Sequence, residues 1–265
     1  MATVKDIYQL LDTKAPFTSQ LGFDNAGFLV GRGERTVNKI LVALDITQEV
    51  IEEANEVGAQ LIVSHHPVIW DAPKSITDDT VLGRKLLALV ESGIAAICAH
   101  TNLDAAKGGV NDALAAAIGL TDTQFLKVYG SYADGTPYGI EQVGYLTGEP
   151  VALTDFALQV KASLQSNGVR YVDAGKPVQK VAVGGGSCSS SMVDAVAAGC
   201  DTFVTADVKY DGFLDAKALG LNLIDAGHFP TENVVCPVLV QWLREQFLAI
   251  DVTISAKHHE VFSYL

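Results

Sequence analysis

The stretch Ile40-Leu41-Val42-Ala43-Leu44, followed by Leu61-Ile62-Val63-Ser64-His65-His66-Pro67, decides the fold. Both open as unbroken apolar runs, the signature of strands covered on two faces, as in a parallel sheet. Between them Thr47 caps a helix that passes through Val50, Ile51 and Ala54 and stops at Gly58. Further on, a second helix (Leu82 to Leu89) stops at Gly93, and a strand over Ile94–Ala99 delivers His100-Thr101-Asn102-Leu103-Asp104. Upstream, Ile7, Leu10 and Leu11 make one face of a short helix that Pro16 helps to end. Strands alternating with helices specify an α/β chain, whose functional loops lie at the carboxyl ends of its strands.

The pattern then returns. Val178-Gln179-Lys180-Val181-Ala182-Val183 mirrors Val37-Asn38-Lys39-Ile40-Leu41-Val42 at an offset of 141 residues (Lys180 against Lys39). The offset holds through Gly58/Gly199, Ile62/Phe203, Val63/Val204 and Ser64/Thr205. After a shortened connection, the order helix, Gly93, strand, His100 reappears as helix, Gly220, strand, Gly227-His228. Tyr138–Leu146 reads as a strand between the repeats, and Leu153–Leu164 as a helix. The expectation is two related α/β lobes from an internal duplication, layered sheets with helices outside and a dinuclear metal site between the lobes. The first lobe spans 1–125 and the second 126–265, with the C-terminal segment packing back on the first.

Composition narrows the function. With 265 residues, 49% apolar and 18% charged, the chain has the mass for a core and is neither disordered nor a disulfide scaffold. A net charge of −13 and a pI near 4.7 argue against nucleic acid as a direct ligand and suit cations. The opening Met1-Ala2-Thr3-Val4-Lys5-Asp6 has no basic-then-apolar leader, and no apolar run is long enough for a membrane span. Cys98, Cys188, Cys200 and Cys236 are scattered and read as reduced, mostly buried thiols, so a cytoplasmic location is expected.

Histidine occurs only six times. Adjacent strand residues point to opposite sides, so His65 and His66 are expected to serve one imidazole to each of two neighbouring ions rather than to chelate one. Pro67 holds His66 extended. Asp104 lies four residues past its strand, His228 stands at the equivalent strand end of the second repeat, and Glu232 follows with Pro230 able to open a helix between them. Singly, each has an ordinary structural reading as a loop histidine, an Asx turn or a first-turn carboxylate. Together they gather three imidazoles and two carboxylates at strand ends. Nitrogen and oxygen ligands without thiolate suit Zn, Fe, Mn or Co, and two such ions with five protein ligands keep positions for water. His100 is expected to orient a ligand from behind. Gly185, Gly186 and Ser187 follow a strand and read either as an anion or substrate contact or as a tight turn. His258 and His259 are expected on the surface.

Four segments carry a family resemblance: Asp24-Asn25-Ala26-Gly27-Phe28-Leu29-Val30-Gly31, Ser64-His65-His66-Pro67, Ala99-His100-Thr101-Asn102-Leu103-Asp104 and Gly227-His228-Phe229-Pro230-Thr231-Glu232. In this order they resemble the Nif-three-like family, many members of which carry the name GTP cyclohydrolase I type 2 homologue. The resemblance spans nearly the whole chain. It implies a dinuclear centre of divalent ions with ligands His65, His66, Asp104, His228 and Glu232, the last bridging, in a ring-shaped hexamer with the metals facing the inner cavity. Phe23 and Phe28 depart from the family's usual Trp and Leu, and a histidine that many members carry near Tyr210-Asp211 is absent. The length matches the short form without a central insert. The implied function is a metal-dependent hydrolase of GTP cyclohydrolase type, using a metal-activated water on a nucleotide-like or other small substrate, with Glu232 the candidate catalytic carboxylate. The alternative is a non-enzymatic metal-binding adaptor or regulator that acts through protein partners.

Overall fold

The computed structural model describes residues 1–265 as two compact units, Met1–Leu103 with Cys236–His259 and Asp104–Val235 with Glu260–Leu265. The units divide at Leu103/Asp104 rather than near residue 125, where the sequence pattern changes lobe. Packing explains the difference, because Leu114 and Ile118 lie in the same apolar cluster as Leu120, Leu146 and Val181 of the second unit.

In the first unit, helix α1 (Val4–Lys14) is fixed by a capping box in which Thr3 and Asp6 satisfy each other's backbone amides. The strands are β1 (Gly27–Val30), β2 (Lys39–Ala43), β3 (Leu61–Ser64) and β4 (Ala95–Cys98), with helices α2 (Gln48–Glu56) and α3 (Val81–Glu91) between the last three. The C-terminal part adds α10 (Cys236–Gln246) and β13 (Asp251–Ile254). The sheet order is β1-β4-β3-β2-β13; β1 runs antiparallel and the other four run parallel. Ile51 and Ala54 of α2 and Leu86 and Leu89 of α3 pack with Leu41 and Ile62 of the sheet. This explains the unbroken apolar runs, which parallel strands carry when both faces are covered. Thr47 and Thr80 accept from the Val50 and Gly83 amides and start α2 and α3, Thr47 where the sequence places a cap.

A single helical turn, α4 (Thr101–Asp104), follows β4. The second unit continues with α5 (Val110–Ala117), β5 (Leu120–Phe125), the short hairpin β6 (Gly130–Ser131) and β7 (Pro137–Tyr138), then β8 (Gln142–Leu146), α6 (Leu153–Ser163) and β9 (Arg170–Val172). It closes with β10 (Lys180–Val183), α7 (Met192–Ala197), β11 (Thr202–Thr205), α8 (Tyr210–Ala218), β12 (Asn222–Asp225) and α9 (His228–Asn233). The sheet order is β5-β8-β10-β11-β12-β9, with β10, β11 and β12 parallel. Val181 and Val183 face α5 and α6, while Ala182 and Phe203 face α7 and α8. The strand expected over Tyr138–Leu146 is divided, because Tyr138 pairs in the small hairpin and pairing with β5 and β10 begins only at Gln142. The starts of β3 and β11 keep the 141-residue offset (Leu61, Thr202).

All four cysteines are free thiols, and burial pushes Cys98 and Cys236 up to about 12. No helix is long and apolar enough to cross a membrane.

Candidate metal centre

Within the first unit, the chain leaves β3 at Ser64 and turns. The Ser64 hydroxyl donates to the His66 carbonyl at 2.8 Å, and the His66 amide donates back to Leu44 O. The strand rule that would send His65 and His66 to opposite faces therefore stops applying one residue too early. Their ring centroids lie 4.9 Å apart, and that of His100 lies 5.0 and 5.5 Å from them. One nitrogen from each of the three rings lies within 4.8 Å of the others. That convergence makes the three rings a group able to hold a metal ion.

The hydrogen bonds fix which nitrogen faces the group. His65 Nδ1 contacts Ala99 O at 2.9 Å, His66 Nδ1 contacts Asp45 Oδ1 at 2.8 Å, and His100 Nδ1 contacts Asp24 Oδ1 at 2.8 Å. Carbonyl and carboxylate oxygens only accept, so each Nδ1 carries the proton and the neutral ring keeps its lone pair on Nε2. His100, expected as an orienting partner, is thus held in the same manner as His65 and His66. Trp70 meets its ring edge-on at 5.0 Å.

The carboxylates behind the rings are themselves held. Burial raises the Asp24 carboxyl, but hydrogen bonds from His100 and from the Thr101 hydroxyl and amide outweigh it and bring it down to about 2. Burial likewise works against Asp45, and hydrogen bonds from His258 and His66 hold it well below the usual carboxylate range. His258 corrects another expectation. Its side chain is only 3% exposed, against Asp45, while His259 is exposed.

In the second unit, Gly227 at φ +90° delivers His228 to the start of α9. His228 Nδ1 contacts Asp207 Oδ2 at 2.7 Å, and its Nε2 lies 3.0 Å from Glu232 Oε2 one turn along. Pro230 is the third residue of this helix rather than its first. Asp207 adopts φ +52°, a left-handed conformation that costs an L-residue about 1–2 kcal/mol. The loop is held there by the Val208 amide donating to Asp225 at 3.0 Å and by Arg170 donating to Val208 O. Asp207→Gly and Asp207→Ala both remove the carboxylate, and only glycine relieves the backbone. The glycine variant is therefore expected to be the more stable by about 1 kcal/mol in urea unfolding, and equal stability would contradict the strain.

The glycine loop packs against the same pair. Gly185 N donates to Asn111 Oδ1 at 2.8 Å and Gly186 N to Thr231 Oγ1 at 3.0 Å, so both amides are engaged within the fold. A Cβ on Gly186, which sits at φ +60°, would overlap Glu232 Oε1 and lie 3.1 Å from His228 Nε2. Ser187 is exposed. Asp104 ends α4, and its carbonyl accepts from Asn111 at 3.4 Å. The structure adds Asp24, Asp45, Asp207 and Asn111 to the residues that the sequence singles out for a role. A sign was present for Asp45 and Asp207, since each follows a buried strand closely.

An α/β chain in which His65, His66 and His100 converge in one unit, each with an acceptor behind Nδ1, carries a group that could hold a metal ion. The family model described as Duf34/NIF3 (NGG1p interacting factor 3) matches residues 2–260, and the chain belongs to that family. A Clostridium perfringens relative named GTP cyclohydrolase 1 type 2 homolog is 40% identical over 99% of both chains. A Halalkalibacterium halodurans relative of the same name is 26% identical, and its alignment runs over 371 positions, so it carries sequence without counterpart here. Among solved structures, a Bacillus cereus protein related to NIF3 superposes with a TM-score of 0.92 at 26% identity, covering 100% of this chain and 99% of the other. Reduced HcgD from Methanocaldococcus jannaschii gives 0.80 at 29% identity, covering 97% and 98%.

Proposed function

We propose that the protein is a metal-dependent hydrolase of small, nucleotide-like substrates, with His65, His66, Asp104, His228 and Glu232 as ligands of two divalent ions. The observation that carries this reading is the common arrangement of the imidazoles. His65, His66 and His228 each have Nδ1 turned onto an acceptor, which leaves Nε2 to meet a metal, and His100 is turned in the same way beside His65 and His66. The donor set is nitrogen and oxygen without thiolate, and it fits Zn, Fe, Mn or Co. Such ions, when bound, supply Lewis acidity and lower the pKa of water toward neutrality. The protein's own part is to hold each ring in one tautomer and direction: Asp45 does so for His66, Asp24 for His100 and Asp207 for His228. Ser187, exposed at the glycine loop, is the polar group offered to a substrate. The relatives' name makes GTP the first substrate to test. A ring-shaped cytoplasmic hexamer and descent of the two halves from one duplicated unit complete the proposal.

Metal analysis of the purified protein tests the site, with about two ions per chain expected. His65→Ala and Glu232→Ala should each lower that content; full occupancy in both variants removes the ligand assignment. Turnover tests the activity. Wild type supplied with Mn, Zn or Fe should hydrolyse GTP, a pterin precursor or a phosphoester faster than Glu232→Ala. Equal rates on all of them leave a metal-binding adaptor, the role that the family's description as an interacting factor suggests.

A further inference from the structure

The C-terminal segment reaches back to the imidazole group through one residue. Glu53 of α2 is buried, and it accepts from the Ser255 hydroxyl, the Ala256 amide at 2.9 Å and the Lys257 amide at 3.2 Å. A buried carboxylate is costly unless its oxygens are bonded, so Glu53 and the turn after β13 require each other. The Ser255 hydroxyl also accepts from the His258 amide at 3.2 Å. This turn sets the His258 ring over the loop that follows β2. There Leu44 N approaches its Nδ1 at 3.4 Å, and its Nε2 lies 3.2 Å from Asp45 Oδ2. The Asp45 amide also reaches Nε2, at 3.3 Å, so the ring lies against both the backbone and the carboxylate of Asp45.

Asp45 therefore stands between two histidines, with Oδ1 on His66 and Oδ2 on His258. Its own side chain is 43% exposed, so neighbouring atoms alone do not confine its rotamer. His258, at 3% exposure, is the fixed member. We propose that His258 is a positioning residue for His66, acting through Asp45, and that Ser255–His258 is a latch by which the C-terminal segment sets one imidazole of the metal centre. Carboxylates behind ligand histidines change metal affinity about 10–100-fold when removed. Loosening Asp45 by removing its second partner draws on the same effect.

This inference rests on the assignment of His66 as a ligand, and the test separates the two. Metal-free protein is titrated with Zn or Co as wild type, His258→Phe, which keeps a buried ring without a donor, and His258→Gln, which restores an N–H near Asp45. The phenylalanine variant should bind about 10-fold more weakly, the glutamine variant should recover most of the loss, and His66→Ala/His258→Phe should bind no worse than His66→Ala. Unchanged affinity in His258→Phe overturns the proposal, as does an equal further loss in the double variant. If His66→Ala itself binds normally, the ligand assignment fails. The latch is then judged by the ring nitrogens of His66 in metal-free protein by NMR. A single Nδ1–H tautomer in wild type should become a mixture in His258→Phe, and a ring that keeps one tautomer there overturns the latch. His258→Ala serves for the same readings should the phenylalanine not fold.

Discussion

Gly186→Ala is expected to lower the unfolding free energy by about 2–4 kcal/mol and to reduce the metal content of the folded protein. Two costs add. The residue sits at φ +60°, where an L side chain costs about 1–2 kcal/mol. The new methyl would also overlap Glu232 Oε1, and Glu232 is buried, so displacing its carboxylate from His228 Nε2, 3.0 Å away, costs about 1–3 kcal/mol. Gly185→Ala is the comparison. Its Cβ would meet Glu232 Cγ, Thr231 O and Val110 Cγ1 at 3.3 Å, and its backbone needs no left-handed conformation. That variant should lose about 1 kcal/mol, by overpacking alone. Urea unfolding of both, with unchanged m-values, checks the difference, and equal losses would contradict the assigned geometry. The glycine run is thus explained by the carboxylate that it lets through, whatever the exposed Ser187 contributes.

How far the sequence carried can be judged residue by residue. The runs Ile40–Leu44 and Leu61–Val63 were legible because a parallel strand buried on both faces leaves an unbroken apolar record. The caps Thr47 and Thr80 act within three residues of themselves, and Thr47 was read directly. The closeness of the His65 and His66 rings was not legible, because both residues lie just beyond the strand that ends at Ser64. The carboxylates behind the rings were not legible: Asp24 and His100 are 76 positions apart, and His258 and Asp45 are 213 apart. Pairings at such distances leave no periodicity in a single sequence. For the same reason His258, near the chain end and outside any motif, resembled a surface residue. The division at Leu103/Asp104 was hidden by continuity, since one helical turn runs through it. The family motifs, by contrast, are local strings, and local strings survive in the sequence intact.

Asp24→Asn is expected to cost about 2 kcal/mol at neutral pH and almost nothing near pH 2. The Asp24 side chain is fully buried and accepts from His100 Nδ1, from the Thr101 amide at 3.0 Å and from the Thr101 hydroxyl. Burial pushes its carboxyl up, but those donors outweigh burial, and the folded value falls from 3.8 to about 2. A depressed carboxyl stabilises the fold at every pH above its unfolded value, and that contribution disappears as pH falls through the folded one. At about 1.4 kcal/mol per pH unit, the gap amounts to about 2 kcal/mol, present above pH 4 and lost between about pH 4 and pH 2. Asparagine cannot titrate and offers a single acceptor where the carboxylate oxygens take three donors. Urea unfolding of metal-free wild type and Asp24→Asn across this window should give stability curves that stand apart at pH 6 and converge toward pH 2. Parallel curves would show that the carboxylate charge does not hold His100, and the orientation of that ring would then rest on Thr101 and packing alone.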